Sequence, residues 1–277
     1  MNDYIREIFS YFGLFKKMIQ VKKDFIPETI FFGQDKNQYF LYYEPEKILS
    51  DKIIFWVHGG GWNSGSPKFF DYVGQCAAKN GYRFISAGYR LSKKYKYPCQ
   101  IEDVCVCYKK VLEVLKEKKI SAPKIVVAGP SAGAHLSSIL CFSRTDQEKY
   151  GVDISNIIGF AGFGGPYSFR ENQSKTLTVL LNQLFAKDYD RKKGESVSLM
   201  SKNHIPGLLI QSEHDGVIDF ECALDFKNRA GQIGNKVELY PVVDKKNTHS
   251  WYTAGLFLET RESNRALDKF FSWIESL

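Results

Sequence analysis

The stretch KIVVAGPSAGAHLSSILCF, Lys124 to Phe142, passes from a short apolar run through a tight turn into a helical pattern. Its first part, KIVVAG (124–129), has the length and β-branched content of a buried strand, and Ala132–Phe142 carries apolar residues at helical spacing. Between them, Gly129-Pro130-Ser131-Ala132-Gly133 sets a serine between two glycines. A serine at such a junction sits on a strained turn with its Oγ exposed, and the flanking glycines remove side chains that would clash there. The helix begins directly after the serine, so the Ala132 N–H and the positive end of the helix meet any negative charge that develops. Pro130 lacks an N–H, but its position is not that of the donor.

The same strand-then-helix unit repeats on either side. KIIFWVHGG (52–60), RFISAGYR (83–90), IIGFAGF (157–163) and GLLIQS (207–212) are further buried-strand runs, and KVELYP (236–241) closes the series. Helical patterns at about 68–80, 101–119, 132–142, 221–232 and 263–276 alternate with them. This predicts an α/β fold: a mostly parallel central sheet with helices on both faces. ETIFFG (28–33) and QYFLYYE (38–44) alternate in polarity and read as antiparallel strands ahead of it. A chain of 277 residues suits one such domain, over 28–277. Residues 1–27 stand apart: Ile5, Ile8, Phe9, Phe12, Phe15 and Ile19 share helical spacing over 3–19. They predict an amphipathic helix that packs on the domain or over its mouth, with an interfacial membrane helix as the alternative. Tyr167 to Lys202 breaks the alternation, with an apolar helix candidate, TLTVLLNQLF (176–185), in polar surroundings. An insertion after a central strand stands near the carboxyl ends of the sheet, where ligands bind in such folds, so about 167–202 reads as a cap.

Three successive glycines follow the strand at 52: His58-Gly59-Gly60-Gly61-Trp62. Such a loop lets backbone N–H groups approach a ligand closely. Gly60 and Gly61, with Ala132, are the expected donors to an oxyanion. Gly59 shapes the turn, and His58 holds the loop through its side chain. A serine hydroxyl is a weak nucleophile at neutral pH and needs a base, which in turn needs an orienting acid. On a serine turn of this kind the chain order runs serine, acid, histidine. Past the strand at 207 comes Glu213-His214-Asp215-Gly216-Val217-Ile218-Asp219. Asp215 fits best as the acid, Asp219 second and Glu213 third. His249, in the loop NTHSWY beyond the final strand, is the expected base; His135, His204 and His214 read as structural.

The 38 basic and 31 acidic residues leave a net charge of +7. Clusters such as Lys93-Lys94, Arg191-Lys192-Lys193 and Lys245-Lys246 lie scattered in expected loops, so a solvated surface is favoured over a nucleic-acid site. The six cysteines (76, 99, 105, 107, 141 and 222) have neither metal-ligand nor disulfide spacing and read as free thiols of a reducing compartment. No run approaches the roughly 20 apolar residues of a membrane span. Asp3, Arg6 and Glu7 precede the apolar part of the N-terminus, the wrong order for a signal peptide. The expectation is a cytoplasmic protein with no stable membrane insertion, no cofactor and no metal, its oligomeric state open, a homodimer included.

Together, HGGGW (58–62), GPSAGAHL (129–136) and YRLSKKYKYPCQIEDV (89–104) resemble the α/β-hydrolase superfamily. Within it they are similar to the branch of hormone-sensitive-lipase-like, feruloyl-esterase-like and kynurenine-formamidase-like esterases. The resemblance covers nearly all of the chain after about residue 28. It implies that Tyr89-Arg90-Leu91, Pro98 and Asp103 pack the loop and helix beneath the active site. The chain departs from the branch at Pro130, and at QSEHD (211–215) where relatives carry HG before the acid. The implied activity is carboxylic-ester hydrolysis through an acyl-enzyme on Ser131, with short acyl or aromatic ester substrates. An arylformamidase or other amidase is the alternative. A non-catalytic binding protein on the same scaffold is disfavoured, because a candidate for each of the three catalytic roles is present.

Overall fold

The computed structural model describes residues 3–277; residues 1 and 2 and the side chains of Tyr4 and Ile8 lie outside the described residues. Its eight-stranded sheet has the order β1-β2-β4-β3-β5-β6-β7-β8. The strands are β1 (Glu28–Phe31), β2 (Tyr39–Tyr43), β3 (Lys52–Val57), β4 (Arg83–Ala87), β5 (Lys124–Pro130), β6 (Ile157–Phe163), β7 (Gly207–Ser212) and β8 (Val237–Val242). β1 and β2 pair antiparallel and β2 joins β4 antiparallel; every other pairing is parallel.

Side chains alternate across the sheet as the strand period of two requires. Ile53, Phe55 and Val57 of β3 enter the core on one face, beneath α3 (Cys99–Glu117), α4 (Ala132–Phe142) and α8 (Phe220–Ile233). Ile54 and Trp56 enter the other, beneath α2 (Asp71–Lys79) and α10 (Arg265–Ser276). Both faces are therefore covered, and the parallel strands are apolar at nearly every position. The insertion after β6 contains α6 (Lys175–Leu184) and α7 (Ser196–Leu199). Its first residue, Tyr167, is fully buried against Phe160 and Phe226 of the main domain. No described helix is long and apolar enough to cross a membrane.

Two short α-helices outside the insertion were not predicted. α5 (Arg144–Tyr150) is held by Ser143, whose hydroxyl accepts from the Asp146 N–H, and by left-handed Gly151. α9 (His249–Thr253) forms where a loop was expected. The N-terminal helix α1 (Asp3–Ile19) forms, but Ile5, Phe9, Phe12 and Ile19 of its apolar stripe are turned outward, while Phe15 faces the cavity. Phe9, Phe12 and Ile19 are exposed, at 66%, 75% and 70%, while Leu14 and Glu7 are buried. The opposite face docks through Leu14 and Met18, packed on the domain, and through Glu7 and Ser10, paired with Ser250 and Thr248.

Candidate active site

Four strands deliver the candidate residues to one end of the sheet. β5 ends at Pro130 and leads to Ser131, whose φ of +51° and ψ of −121° are costly for a residue with a Cβ. That conformation is held by the Ser131 N–H, which donates to the Phe163 carbonyl at the end of β6 at 2.7 Å. The turn closes only around glycine at its last position, since a Cβ on Gly133 would stand 2.0 Å from the Val57 carbonyl oxygen. Ala132 opens α4, so its N–H has no acceptor within the helix and is free to meet a ligand.

The glycine loop after β3 lies against this turn. Gly60 and Gly61 have φ of +112° and +57°, where a Cβ is strained, and a Cβ on Gly61 would also collide with Leu180 of α6. His58 is fully buried, and its Nδ1–H donates to the Gly59 carbonyl at 2.7 Å. Its ring stacks on Tyr89 at 4.2 Å, and the Tyr89 hydroxyl donates to the His58 carbonyl. Beneath them Asp103 accepts from the backbone N–H and the guanidinium of Arg90. Tyr89, Arg90 and Asp103 thus brace the loop from below.

The acid and base come from the ends of β7 and β8. His249 Nδ1 lies 2.7 Å from Asp215 Oδ2. An ionised carboxylate only accepts, so the Nδ1 carries the proton and Nε2 is the lone-pair nitrogen. The other oxygen, Oδ1, accepts from the N–H groups of Val217 and Ile218, both at 2.8 Å. Burial of His249 opposes its charge, but the Asp215 charge and hydrogen bond, with Glu7 adding to them, carry its pKa above the ordinary value. Asp219 is elsewhere employed: its carboxylate accepts from the Ser174 N–H at the start of α6, and burial raises its pKa. Glu213 and His204 are exposed, and His214 faces Asp3 of α1 at 3.7 Å. His135 is buried, donating from Nε2 to the Gly194 carbonyl and accepting at Nδ1 from Trp62. The structure therefore joins Asp215 to His249 and leaves the other acids and histidines apart from that pair.

Ser131, His249 and Gly59–Gly61 open onto one cavity of about 360 Å³. Its walls are mainly apolar, with Leu14, Phe15 and Met18 of α1 facing Phe70, Leu180 and Val217. Such volume and lining are those of a small-molecule site.

Sequence reading missed Tyr252, whose hydroxyl donates to Asp215 Oδ2 at 2.5 Å. Its position three residues after His249 was a usable signal, because residues i and i+3 share a helix face, but only once a helix was placed there. Tyr252 adds a second donor to the oxygen that orients His249. Tyr252→Phe is expected to lower kcat about tenfold with little change in KM, the scale of one hydrogen bond to a charged group. Steady-state kinetics of the purified variant test this, and an unchanged kcat would remove Tyr252 from the site.

The sheet order, the serine turn and the glycine loop define the α/β-hydrolase fold. The chain belongs to the BD-FAE family, whose model matches residues 41–229, a span that includes the glycine loop, Ser131 and Asp215. It is 31% identical over 197 residues to arylacetamide deacetylase from Bos taurus, covering 65% of this chain and 48% of that protein. It is 29% identical over 229 residues to ethyl acetate hydrolase from Pseudomonas putida, covering 78% of this chain and 71% of that one. The match thus spans about half the length of the bovine relative. Among solved structures, the fold is similar to an esterase B from Lactobacillus rhamnosis inhibited by a tributyrin phosphonate. That pair has a TM-score of 0.79 and 18% identity, covering 96% of this chain and 91% of the other.

Proposed function

We propose that this protein is a serine esterase that hydrolyses carboxylic esters through an acyl-enzyme. The observation that carries the proposal is the Asp215–His249 pair opening, with Ser131, onto one apolar cavity. In this reading His249 Nε2 takes the Ser131 proton as Oγ attacks the ester carbonyl carbon. The oxyanion that forms is met by the N–H groups of Gly60, Gly61 and Ala132, each such donor being worth about 10²–10³ in rate. Collapse expels the alcohol, protonated by His249, and leaves the acyl group on Ser131. Water, deprotonated by His249, then attacks the acyl carbonyl; the bond to Ser131 Oγ breaks, His249 returns the proton to Oγ, and the acid leaves. Asp215 holds the imidazole tautomer and offsets its transient positive charge.

The apolar walls favour short acyl or aromatic esters over charged ones, and the names of the bovine and Pseudomonas relatives point the same way. The residues of 167–202 serve as a cap, through which Leu180 closes one side of the pocket. Six unpaired cysteines, four of them buried, support a cytoplasmic location, which recovery of the protein outside that fraction of its host would overturn.

A fluorophosphonate should add its mass to Ser131 in the wild type and not to Ser131→Ala. The wild type should also turn over p-nitrophenyl acetate, butyrate and benzoate faster than formylkynurenine. A folded wild type that takes no phosphonate would refute catalysis at Ser131. Fast formamide cleavage with no ester turnover would replace the ester reading by the amidase one.

A further inference from the structure

Helix α1 carries a buried carboxylate to the segment that holds His249. Glu7 is 9% exposed, and its Oε1 accepts from the backbone N–H of Ser250 at 3.0 Å and from the Ser250 hydroxyl. One turn further along α1, Ser10 Oγ pairs with Thr248 Oγ1 at 2.7 Å. Thr248 and Ser250 are the two chain neighbours of His249, so adjacent turns of α1 grip the base from both sides.

The grip matters because α9 is weak on its own. It has five residues, and Thr248 at its N-cap makes no side-chain capping bond. An N-cap oxygen ordinarily satisfies the N–H of the second or third helical residue. Here that N–H belongs to Ser250, and Glu7, more than two hundred residues away in sequence, accepts it instead. The next part of the same α1 face lines the cavity through Tyr11, Leu14, Phe15 and Met18. The wall of the pocket and the support of the base are one element.

We infer that Glu7 is a positioning residue for catalysis, holding His249 in line with Ser131 through Ser250 and supplying a negative charge beside the imidazole. This rests on the reading of Ser131, His249 and Asp215 given above. Glu7 Oε2 is buried without a hydrogen-bond partner, and a carboxylate here favours charge on the imidazole of His249. An opposite charge nearby favours the protonated base. The other groups facing His249 are Asp215 from the β7 loop and the Tyr252 hydroxyl of α9. At the edge of the contact lie the Asp3–Arg6 pair, His214, and Lys17 over the Trp251 ring.

The test uses the full chain with p-nitrophenyl butyrate. Glu7→Ala removes both grip and charge, and kcat is expected to fall about 10–100-fold with KM nearly unchanged, the scale of a small misplacement of a catalytic group. Glu7→Gln keeps an acceptor for Ser250 and loses only the charge. Its kcat should fall by less than that of Glu7→Ala, and the acid limb of kcat/KM should move to lower pH, because a neutral neighbour no longer favours the imidazolium. Glu46→Gln, which removes a charge on the exposed β2–β3 connection, should leave the limb in place. If Glu7→Ala fails to fold, the limb of Glu7→Gln decides. Wild-type kcat and an unmoved limb in Glu7→Gln would overturn the inference while leaving the esterase reading intact. A wild type that turns over no ester and takes no phosphonate at Ser131 would overturn both.

Discussion

Asp215→Asn is expected to lower kcat on a p-nitrophenyl ester by about 10³–10⁴, while Asp219→Asn stays within about threefold of wild type. The reason lies in how Asp215 is held. Its Oδ1 accepts two backbone N–H groups, from Val217 and Ile218, so an asparagine must place its oxygen there. The amide nitrogen then faces His249 Nδ1, where a carboxylate oxygen stood at 2.7 Å. A donor in that place forces the proton of the imidazole onto Nε2, and the base can no longer take the proton of Ser131. The Tyr252 hydroxyl, which donates to the same carboxylate oxygen, must turn to accept instead. The geometry survives and the tautomer does not, so the loss should fall on kcat with little loss of urea resistance. Asp219 meets Ser174 at the start of α6, and its loss should loosen the insertion rather than the base. Activity lost in Asp219→Asn and kept in Asp215→Asn would exchange the two acids.

The parts of the molecule legible in the sequence are those fixed by short-range rules. The β5–turn–α4 unit needs a strand, two glycines and a serine within about ten residues, and each constraint is local. The glycine loop after β3 is equally local, because positive φ at Gly60 and Gly61 can be read from residue type. Asp215 and Asp219 could not be separated so firmly, since they lie four residues apart on one loop. What distinguishes them is the direction of each side chain relative to a histidine from another strand end. Tyr252 was missed because its role depends on α9, whose five residues are too few to show a helical period. The docking face of α1 was not legible for a related reason. Hydrophobic spacing puts Phe9, Phe12 and Ile19 inward, yet the pairings of Glu7 with Ser250 and Ser10 with Thr248 turn the opposite face to the domain. No local pattern announces a carboxylate whose partner lies at the far end of the chain.

Acid should begin to destabilise this fold below about pH 6.5, before most carboxylates titrate, through His58 and His135. Both are fully buried, and burial lowers the pKa of each from 6.5 to about 4, against hydrogen bonds to Gly59 and Gly194 that favour the charged form. Protonated His58 would carry a proton on Nε2, which has no partner, and protonated His135 would turn Nδ1 into a donor against the Trp62 N–H. Between pH 6.5 and 4 the unfolded chain therefore binds protons that the folded chain refuses. Stability is full above the unfolded pKa and falls as pH drops through this window, by roughly 3 kcal/mol for each histidine. His249 acts in the opposite sense: its raised pKa contributes stability below 6.5 that is lost as pH rises through the folded value, which offsets part of the fall. Asp146 and Asp219, raised by burial, also act against it. The contribution of one histidine is isolated by His135→Gln, whose amide can still donate to the Gly194 carbonyl. This variant should be less stable than wild type at pH 7, and the two should converge on acidification. Between pH 7 and 4.5 the wild type should lose roughly 2–3 kcal/mol more than the variant, read from urea unfolding at each pH. Equal losses in the two proteins would mean that His135 is not held neutral by its surroundings, and that the acid sensitivity of the glycine loop and α4 has another source.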